Sequence, residues 1–460
     1  MSVVIVGGGM AGLATAFELH ARKIPFVLLD GAERAGGIVI SEQIDGYTID
    51  GGPDALLVQK PDGIRLCEEV GLGERLIPTS PPRIAFVQRN GCLHPLPATS
   101  VLGIPTRLGP FAATRLFSWR GKLRMAGELF VPAKRDDADE SIGAFMRRRF
   151  GVEATTYLAE PLLAGIHAGD VDALSVQALF PRLVEAERQH GSLLRAFRRQ
   201  PPSPAAAEGA FRSLPGGLSE LVTALVAAMP RRSIRLRTPV DRVRCDRSDG
   251  FRVETHSGEL IRARALVLCT PAYVTSQILR EAAVDLAQLC AEVRYASTAT
   301  VALAFTRGQV DHPLNGSGFV VPRVERSGIL AASWLSSKWS HRAPADRVLL
   351  RTFVGGARDP AALDRADAEL VTLSRQALEP LLRITGAPLL TRVYRWVRAS
   401  AQHEVGHLAR MAAIDRALER HPGLFVTGSG FRGVGIPDCI ADGRSTASQV
   451  SSWLSSSVSA

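Results

Sequence analysis

The sequence predicts a multidomain α/β protein built around a Rossmann-like dinucleotide-binding domain. Three observations predict it. The chain is 460 residues long, too long for one simple core. Residues 3–30 carry a complete β-α-β pattern, and inside that unit Gly7, Gly9 and Gly12 stand in the spacing G-x-G-x-x-G.

Each part of the unit has a physical reason. Val3-Val4-Ile5-Val6 is an all-apolar, β-branched run of the kind buried in a parallel sheet. Gly7 permits the tight turn, Gly9 lets the backbone approach a pyrophosphate, and Gly12 lets the helix pack closely on the strand. A helix is expected over Leu13 to Ala21, with the phosphate on its N-terminus. A second apolar run, Phe26 to Leu29, ends at Asp30, eighteen residues beyond Gly12 and placed to accept hydrogen bonds from an adenosine ribose. Gly428, Gly430 and Gly433 repeat the glycine spacing, but no acidic-tipped strand follows, so that match is the weaker one. Just after Asp30, Arg34 with Gly36 and Gly37 offers a cation and two unobstructed amides beside the same pyrophosphate. A nicotinamide site has no particular need of them, and FAD, held non-covalently, is favoured. Cys439 is the nearest candidate nucleophile and is expected to pack instead.

Composition narrows the class. Lys+Arg 55 against Asp+Glu 45 gives a formal charge of +10, which suits an anionic membrane, nucleic acid, an acidic substrate or simply a solvated basic face. Cys67, Cys92, Cys245, Cys269, Cys290 and Cys439 lie far apart with no C-x-x-C pair, so neither a disulfide framework nor a metal site is expected and a reducing cytoplasm fits. No apolar run reaches about eighteen residues, and no charged n-region precedes Val3; neither a spanning helix nor a signal peptide is expected.

Later segments read as pieces of the same domain returning after insertions. "SLPGGLSELVTALVAAM" opens a helix at Gly217, "IRLRTPVDRVRCD" and "FRVETHS" alternate like strands, and "ALVLCTPA" is a buried strand ending in a turn. "GLFVTGSGFRGVGIPDCIADGRSTASQVSSWL" is strand, glycine loop and helix. Between Leu96 and Phe211 lies a helix-rich insertion closing on the linker "QPPSPAAAEG", and from about Val293 to Ala399 the segments "TATVALAFT", "GFVVP" and "RVLLRTFVGG" suggest a mixed sheet.

"GIHAGDVDALSVQALFPRLVEAE" (Gly165 to Glu187), "FVGGARDP" and "GVGIPDCIADG", with the N-terminal fingerprint, resemble the oxygen-dependent protoporphyrinogen oxidase family, some of whose bacterial members act on coproporphyrinogen III. The resemblance implies an FAD domain of p-hydroxybenzoate-hydroxylase type, a mixed-sheet substrate domain and an α-helical membrane-facing insertion. Its boundaries fall at 1–79, 208–290 and 400–460 for the FAD domain, 80–97 and 291–399 for the substrate domain, and 98–207 for the insertion. It implies oxidation of protoporphyrinogen IX to protoporphyrin IX by oxygen, with hydrogen peroxide as by-product, in haem biosynthesis. Coproporphyrinogen III oxidation is the alternative. An amine oxidase or desaturase of the same superfamily, and a non-catalytic porphyrin-binding flavoprotein, are the rivals. The implied partners are the porphyrinogen, oxygen, an anionic membrane surface and the next haem-pathway enzyme, with no nucleic acid; the implied location is the cytoplasm, peripheral on the inner face of the cell membrane.

Carried over motif by motif, the expected cofactor ligands are Gly7, Gly8, Gly9, Met10, Ala11, Gly12, Asp30, Gly31, Arg34, Gly36, Gly37, Gly52, Pro53 and Asp54, then Val240, Trp396, Ser429, Gly433, Val434, Gly435 and Ile436. The last four would bring a helix N-terminus to the flavin, where its dipole favours the reduced, negative form. Asp30 stands where relatives carry Glu, and Ala401-Gln402-His403 replaces Pro-Gln-Tyr, which leaves the lining after Trp396 open. Val320, Ser333 and Phe353 are expected to line a flat apolar slot, with Gly165 and Gly169 on the opposite wall and Arg83 holding a substrate propionate. One such cation suits a substrate with two propionates; Arg323, Arg326 and Lys338 could hold more. No acid or base is assigned, because hydride loss from a meso carbon needs chiefly alignment; His167 is read as packing. Leu116, Phe117 and Trp119, interleaved with Arg107, Arg115, Arg120, Lys122 and Arg124, are expected to lie in an anionic interface.

Overall fold

The computed structural model describes residues 2–96, 100–101, 104–105, 108–199, 209–246 and 250–456. Most of the 200–209 linker, Arg107 and the expected boundaries near 98 and 207 lie outside the described residues.

The strand Val3–Val6 sits in the middle of a five-stranded parallel sheet in the order Ile234–Arg235, Phe26–Leu29, Val3–Val6, Ala265–Leu268, Leu424–Val426. All four of its residues are buried, as an unbroken apolar run requires when both faces are covered. The helices Met10–Ala21 and Ile436–Ser456 pack together on one face. A three-stranded antiparallel sheet, Val240–Asp246, Gly250–Thr255 and Leu260–Ala263, packs on the other with the helix Ala272–Leu279. The first helix starts three residues before the expected Leu13, because Gly9 in extended conformation already serves as its N-cap. The helix expected from Gly217 begins at Ser219, since Gly217 takes a positive φ of 86°.

A second, seven-stranded sheet runs Leu390–Gln402, Arg294–Thr306, Arg347–Gly355, Ala331–Trp334, Gly318–Val320, Ala85–Arg89, Cys92–Pro95. It is mixed, because Gly318–Val320 runs parallel to Ala85–Arg89 and the other pairs are antiparallel. Alternation along Arg347–Gly355 sends Val348, Leu350 and Val354 into a core shared with the helix Asp367–Leu382, and leaves Leu349, Arg351 and Phe353 on the face toward the nucleotide unit.

Residues 108–199 form a helical unit whose core joins Phe145, Met146, Leu158 and Leu183, and against which Val320 of the second sheet packs. Arg149 and Glu128, both 0 % exposed, pair inside it, and Glu128 also accepts from the Ser192 hydroxyl and the Leu193 amide. Leu116 and Phe117 belong to this core at 0 % and 5 % exposure, so neither is free to lie in an interface. Along the helix Trp119–Ala126, Gly121 and Met125 face inward, which turns Trp119 and Leu123 outward at 73 % and 71 %. Among the described residues no helix is long and apolar enough to cross a membrane, no His/Cys/Asp/Glu group could hold a metal, and the cysteines are free thiols.

Candidate functional site

At the carboxyl end of the parallel sheet, where such folds place their ligands, a cleft of about 440 Å³ opens between the sheet's loops and the second unit. Gly7 at φ 106° donates its amide to the Leu29 carbonyl at 2.8 Å. A Cβ on Gly12 would stand 1.9 Å from the Gly7 carbonyl oxygen, so the helix crosses the strand as closely as only glycine allows. A Cβ on Gly9 would meet nothing within 4 Å: its space is the cleft itself.

Asp30 is tied down at both carboxylate oxygens. Gly8 donates its amide to Oδ2 at 2.5 Å and Ala32 donates to Oδ1 at 2.7 Å, while the residue still lines the cleft. Each oxygen keeps a second lone pair for a ligand hydroxyl. Gly36 donates to the Gly8 carbonyl at 2.7 Å, and a Cβ on Gly37 would lie 3.3 Å from Gly9 Cα, so the two glycine pairs sit against one another. Met10, Ala11, Gly31, Val240 and Ser429 line the cleft as well, as do Val434 and Ile436 at the start of the C-terminal helix.

Several expected ligands do not line the cleft and are engaged within the protein. The Arg34 guanidinium donates to the carbonyls of Ala35 at 3.2 Å, Gly37 at 2.7 Å and Val39 at 2.9 Å, holding its own loop rather than facing the cleft. Asp54 is buried beneath the second sheet, where it accepts from Lys338 Nζ at 2.7 Å and Trp339 Nε1 at 2.9 Å and pairs with Arg351 at 3.1 Å. Burial opposes its ionisation, but Lys338 and Arg351 outweigh that and hold its pKa far below the usual range. Lys338 is thereby occupied and is not an open propionate partner. Gly52 lies under Ile38, whose carbonyl a Cβ would approach to 1.9 Å, and Trp396 donates its indole N–H to the Gly51 carbonyl at 2.8 Å. Gly433 and Gly435 are required by Asp438, which a Cβ on either would crowd at 2.4 and 2.8 Å; Asp438 accepts from the Gly435 amide and pairs with Lys60 at 2.6 Å. Pro53 and Gly8 do not line the cleft either; Gly8 serves it through its amide on Asp30 and its carbonyl under Gly36.

The segment left open by the sequence is now occupied. His403 donates Nε2–H to the Ser429 carbonyl at 3.0 Å and His407 donates to the Phe431 carbonyl at 2.7 Å, their rings stacked at 3.8 Å and 11°. Burial, with His407 beside it, pushes the His403 pKa down to about 3, and burial lowers His407 as well. The pair therefore stays neutral and buttresses the second glycine loop from behind. Gln402 donates to the His167 carbonyl at 3.0 Å, and the His167 ring packs edge-on to Phe180 at 6.1 Å, its pKa pushed down to about 4 by burial and then by Lys60.

On the second sheet, Val320, Ala331 and Phe353 stand in one register row, with Gly318, Ser333 and Arg351 in another. The Arg351 guanidinium lies 4.8 Å over the Phe353 ring. Gly165 ends a π-helical stretch, Thr155–Ala164, with its Cβ position open, whereas a Cβ on Gly169 would strike Leu174 at 2.4 Å and Gln402 at 2.7 Å. Arg83 is exposed, donates Nε–H to the Thr79 carbonyl at 3.0 Å, and stands four residues before Val87, the partner of Val320, or about 13 Å along the strand direction. Sequence reasoning missed Tyr273, Tyr295, Arg398 and Cys269, all of which line the cleft; the turn after the buried strand "ALVL" was the available signal for two of them.

The model of the family described as flavin containing amine oxidoreductase matches residues 10–451. The coproporphyrinogen III oxidase of Bacillus subtilis (strain 168) is 35% identical over 98% of this chain and 98% of its own length. The chloroplastic protoporphyrinogen oxidase of Nicotiana tabacum is 29% identical over 99% of this chain and 86% of its own. A crystal structure from Exiguobacterium sp. 255-15 superposes with a TM-score of 0.86 at 33% identity, covering 98% of both chains.

Proposed function

The chain belongs to the flavin containing amine oxidoreductase family, and from that premise we propose that it is a porphyrinogen oxidase of haem biosynthesis carrying non-covalent FAD, with oxygen as acceptor and hydrogen peroxide as by-product. The observation that carries the cofactor reading is the cleft. It runs from Asp30 and Val240, past the open side of Gly9, to Val434 and Ile436, which suits a ligand with an adenosine at one end and an isoalloxazine at the other. When bound, FAD supplies the hydride acceptor and the route to oxygen. The chain's part is to bind and orient. The first turn of Met10–Ala21 supports a diphosphate site, because Gly9, Met10 and Ala11 line the cleft and a helix N-terminus offers free amides to an anion. Phe353 and Val320 support a flat apolar wall, and Arg83 supports a carboxylate grip at its far end. Cys439 supports non-covalent attachment: burial pushes its thiol up to about 12, and it donates to the Gly433 carbonyl at 3.5 Å.

Coproporphyrinogen III is the substrate we favour, because the 35%-identical relative bears that name. Protoporphyrinogen IX, the preference drawn from the sequence, is the second reading, supported by the tobacco relative and by the engagement of Lys338 with Asp54. The test is purified protein, its flavin spectrum under anaerobic addition of each porphyrinogen, and porphyrin fluorescence with oxygen uptake in air. A higher kcat/KM for protoporphyrinogen IX reverses the choice; no bleaching with either sinks the porphyrinogen reading.

A contact with anionic membrane is proposed for the helix Trp119–Ala126 and the turn after it. It rests on Trp119, Leu123 and Phe130, exposed at 73 %, 71 % and 85 %, and on Lys122 lying 4.8 Å from the Trp119 ring. Flotation with anionic vesicles at low salt tests it, and protein that stays at the bottom refutes it.

A further inference from the structure

A dinucleotide brings two phosphates, and the cleft is poor in charge to meet them. Among the described residues lining it, the ionised side chains are Asp30 and Arg398. Asp30 is engaged by the Gly8 and Ala32 amides, and Arg34, the nearest cation in sequence, is folded onto the carbonyls of Ala35, Gly37 and Val39.

Arg398 is aimed at the cleft by a break in the second sheet. Ala296 pairs with Ser400 and Thr298 with Trp396, so the three residues Val397, Arg398 and Ala399 oppose Ser297 alone. All three line the cleft. Arg398 takes φ 48°, a conformation a non-glycine residue holds only where its surroundings enforce it, and its amide donates to Ser297 Oγ at 2.9 Å. Its guanidinium reaches across to the nucleotide unit and lies 3.7 Å from the centre of the Tyr273 ring. Tyr273 stands in the first turn of Ala272–Leu279, edge-on to Tyr295 at 5.2 Å, and the Tyr295 hydroxyl accepts from the Ala272 amide at 2.8 Å. The backbone just before that helix packs against the first glycine loop: a Cβ on Gly7 would be 2.9 Å from the Cys269 carbonyl carbon and 3.1 Å from the Thr270 nitrogen.

We propose that Arg398 supplies the positive charge that meets the diphosphate of the cofactor, reaching it from the sheet side of the cleft while stacked on Tyr273. The inference rests on the FAD reading above. The two contacts are compatible, because a guanidinium stacks with its face and donates hydrogen bonds in its plane. Stacking therefore fixes the direction of the donors without consuming them, as a charge-assisted pair with phosphate oxygen requires.

The test measures FAD affinity rather than turnover. Apoprotein is titrated with FAD by flavin fluorescence over a range of salt concentrations, for wild type, Arg398→Gln and Arg398→Lys. Arg398→Gln should raise Kd at least tenfold and flatten its dependence on salt, Arg398→Lys should recover most of both, and the apoprotein melting temperature should be the same in all three. Tyr273→Leu should weaken binding while Tyr273→Phe does not. A Kd for Arg398→Gln within twofold of wild type, an unchanged salt dependence, or a lysine variant no better than glutamine overturns the proposal. Wild-type apoprotein that takes up no FAD sinks the cofactor reading instead.

Discussion

Asp54 on the nucleotide unit and Arg351 on the second sheet meet at 3.1 Å, with side-chain exposures of 11 % and 1 %. Lys338 and Trp339 complete the shell around the same carboxylate, and Arg351 donates further to the carbonyls of Asp50 and Gly52 at 2.5 and 2.8 Å. The joint between the two units is thus a buried charge cluster. Removing one partner leaves the others charged and unpaired, so Asp54→Asn should cost about 3–5 kcal/mol in urea unfolding. Asp54 has a pKa below its unfolded value, so its stabilisation is present above the unfolded pKa and is lost only as pH falls through the folded one. Asp54→Asn should therefore be weakened equally across neutral and mildly acidic pH.

Gly9 and Gly12 should separate folding from cofactor binding. Gly12→Ala places a methyl 1.9 Å from the Gly7 carbonyl oxygen and should lower the apoprotein melting temperature as well as flavin content. Gly9→Ala meets no protein atom within 4 Å and should melt like wild type yet retain little flavin, because the methyl occupies the ligand's space. Equal flavin content in Gly9→Ala and wild type would falsify this assignment of the phosphate site.

The stacked histidines set an acid limit. His403 has a folded pKa of about 3, below the unfolded value, so between about pH 6.5 and 3 the unfolded chain binds the extra proton and stability falls as pH falls, at about 1.4 kcal/mol per pH unit. His403→Gln keeps a donor for the Ser429 carbonyl and removes the titration. Unfolding free energy measured from pH 7 to 5 should show a shallower slope in that variant, with the difference absent above pH 7.

Arg83 is exposed and lies beyond the nucleotide cleft, so Arg83→Ala should leave flavin content and melting temperature near wild type. If it grips a propionate, KM for the porphyrinogen should rise by roughly tenfold, the scale of one charge-assisted pair. An unchanged KM removes Arg83 from the binding site.

The sequence by itself determined the parallel sheet and its glycine turn, because the local demands are absolute: an apolar β-branched run needs burial on both faces, and the positions of Gly7, Gly9 and Gly12 admit no side chain or leave room for a ligand. It also marked Asp30, Val240, Val434 and Ile436, each adjoining a readable strand or helix, and all four line the cleft. Which charges face that cleft was decided only by tertiary structure. Arg34 and Arg398 are both arginines beside expected ligands, yet one is spent on its own loop and the other is turned inward by a three-against-one break in strand pairing. Asp54 follows a glycine motif but is claimed by Lys338 and Arg351, which lie 284 and 297 residues further along the chain. Leu116 and Phe117 alternate with arginines like an interfacial segment, yet the helical unit buries them, because the outward face of a helix depends on what packs against it. Long-range pairing of this kind leaves no periodic trace in the sequence, since the hydrogen bonds and charges that fix it come from segments brought together only when the two sheets close on one another.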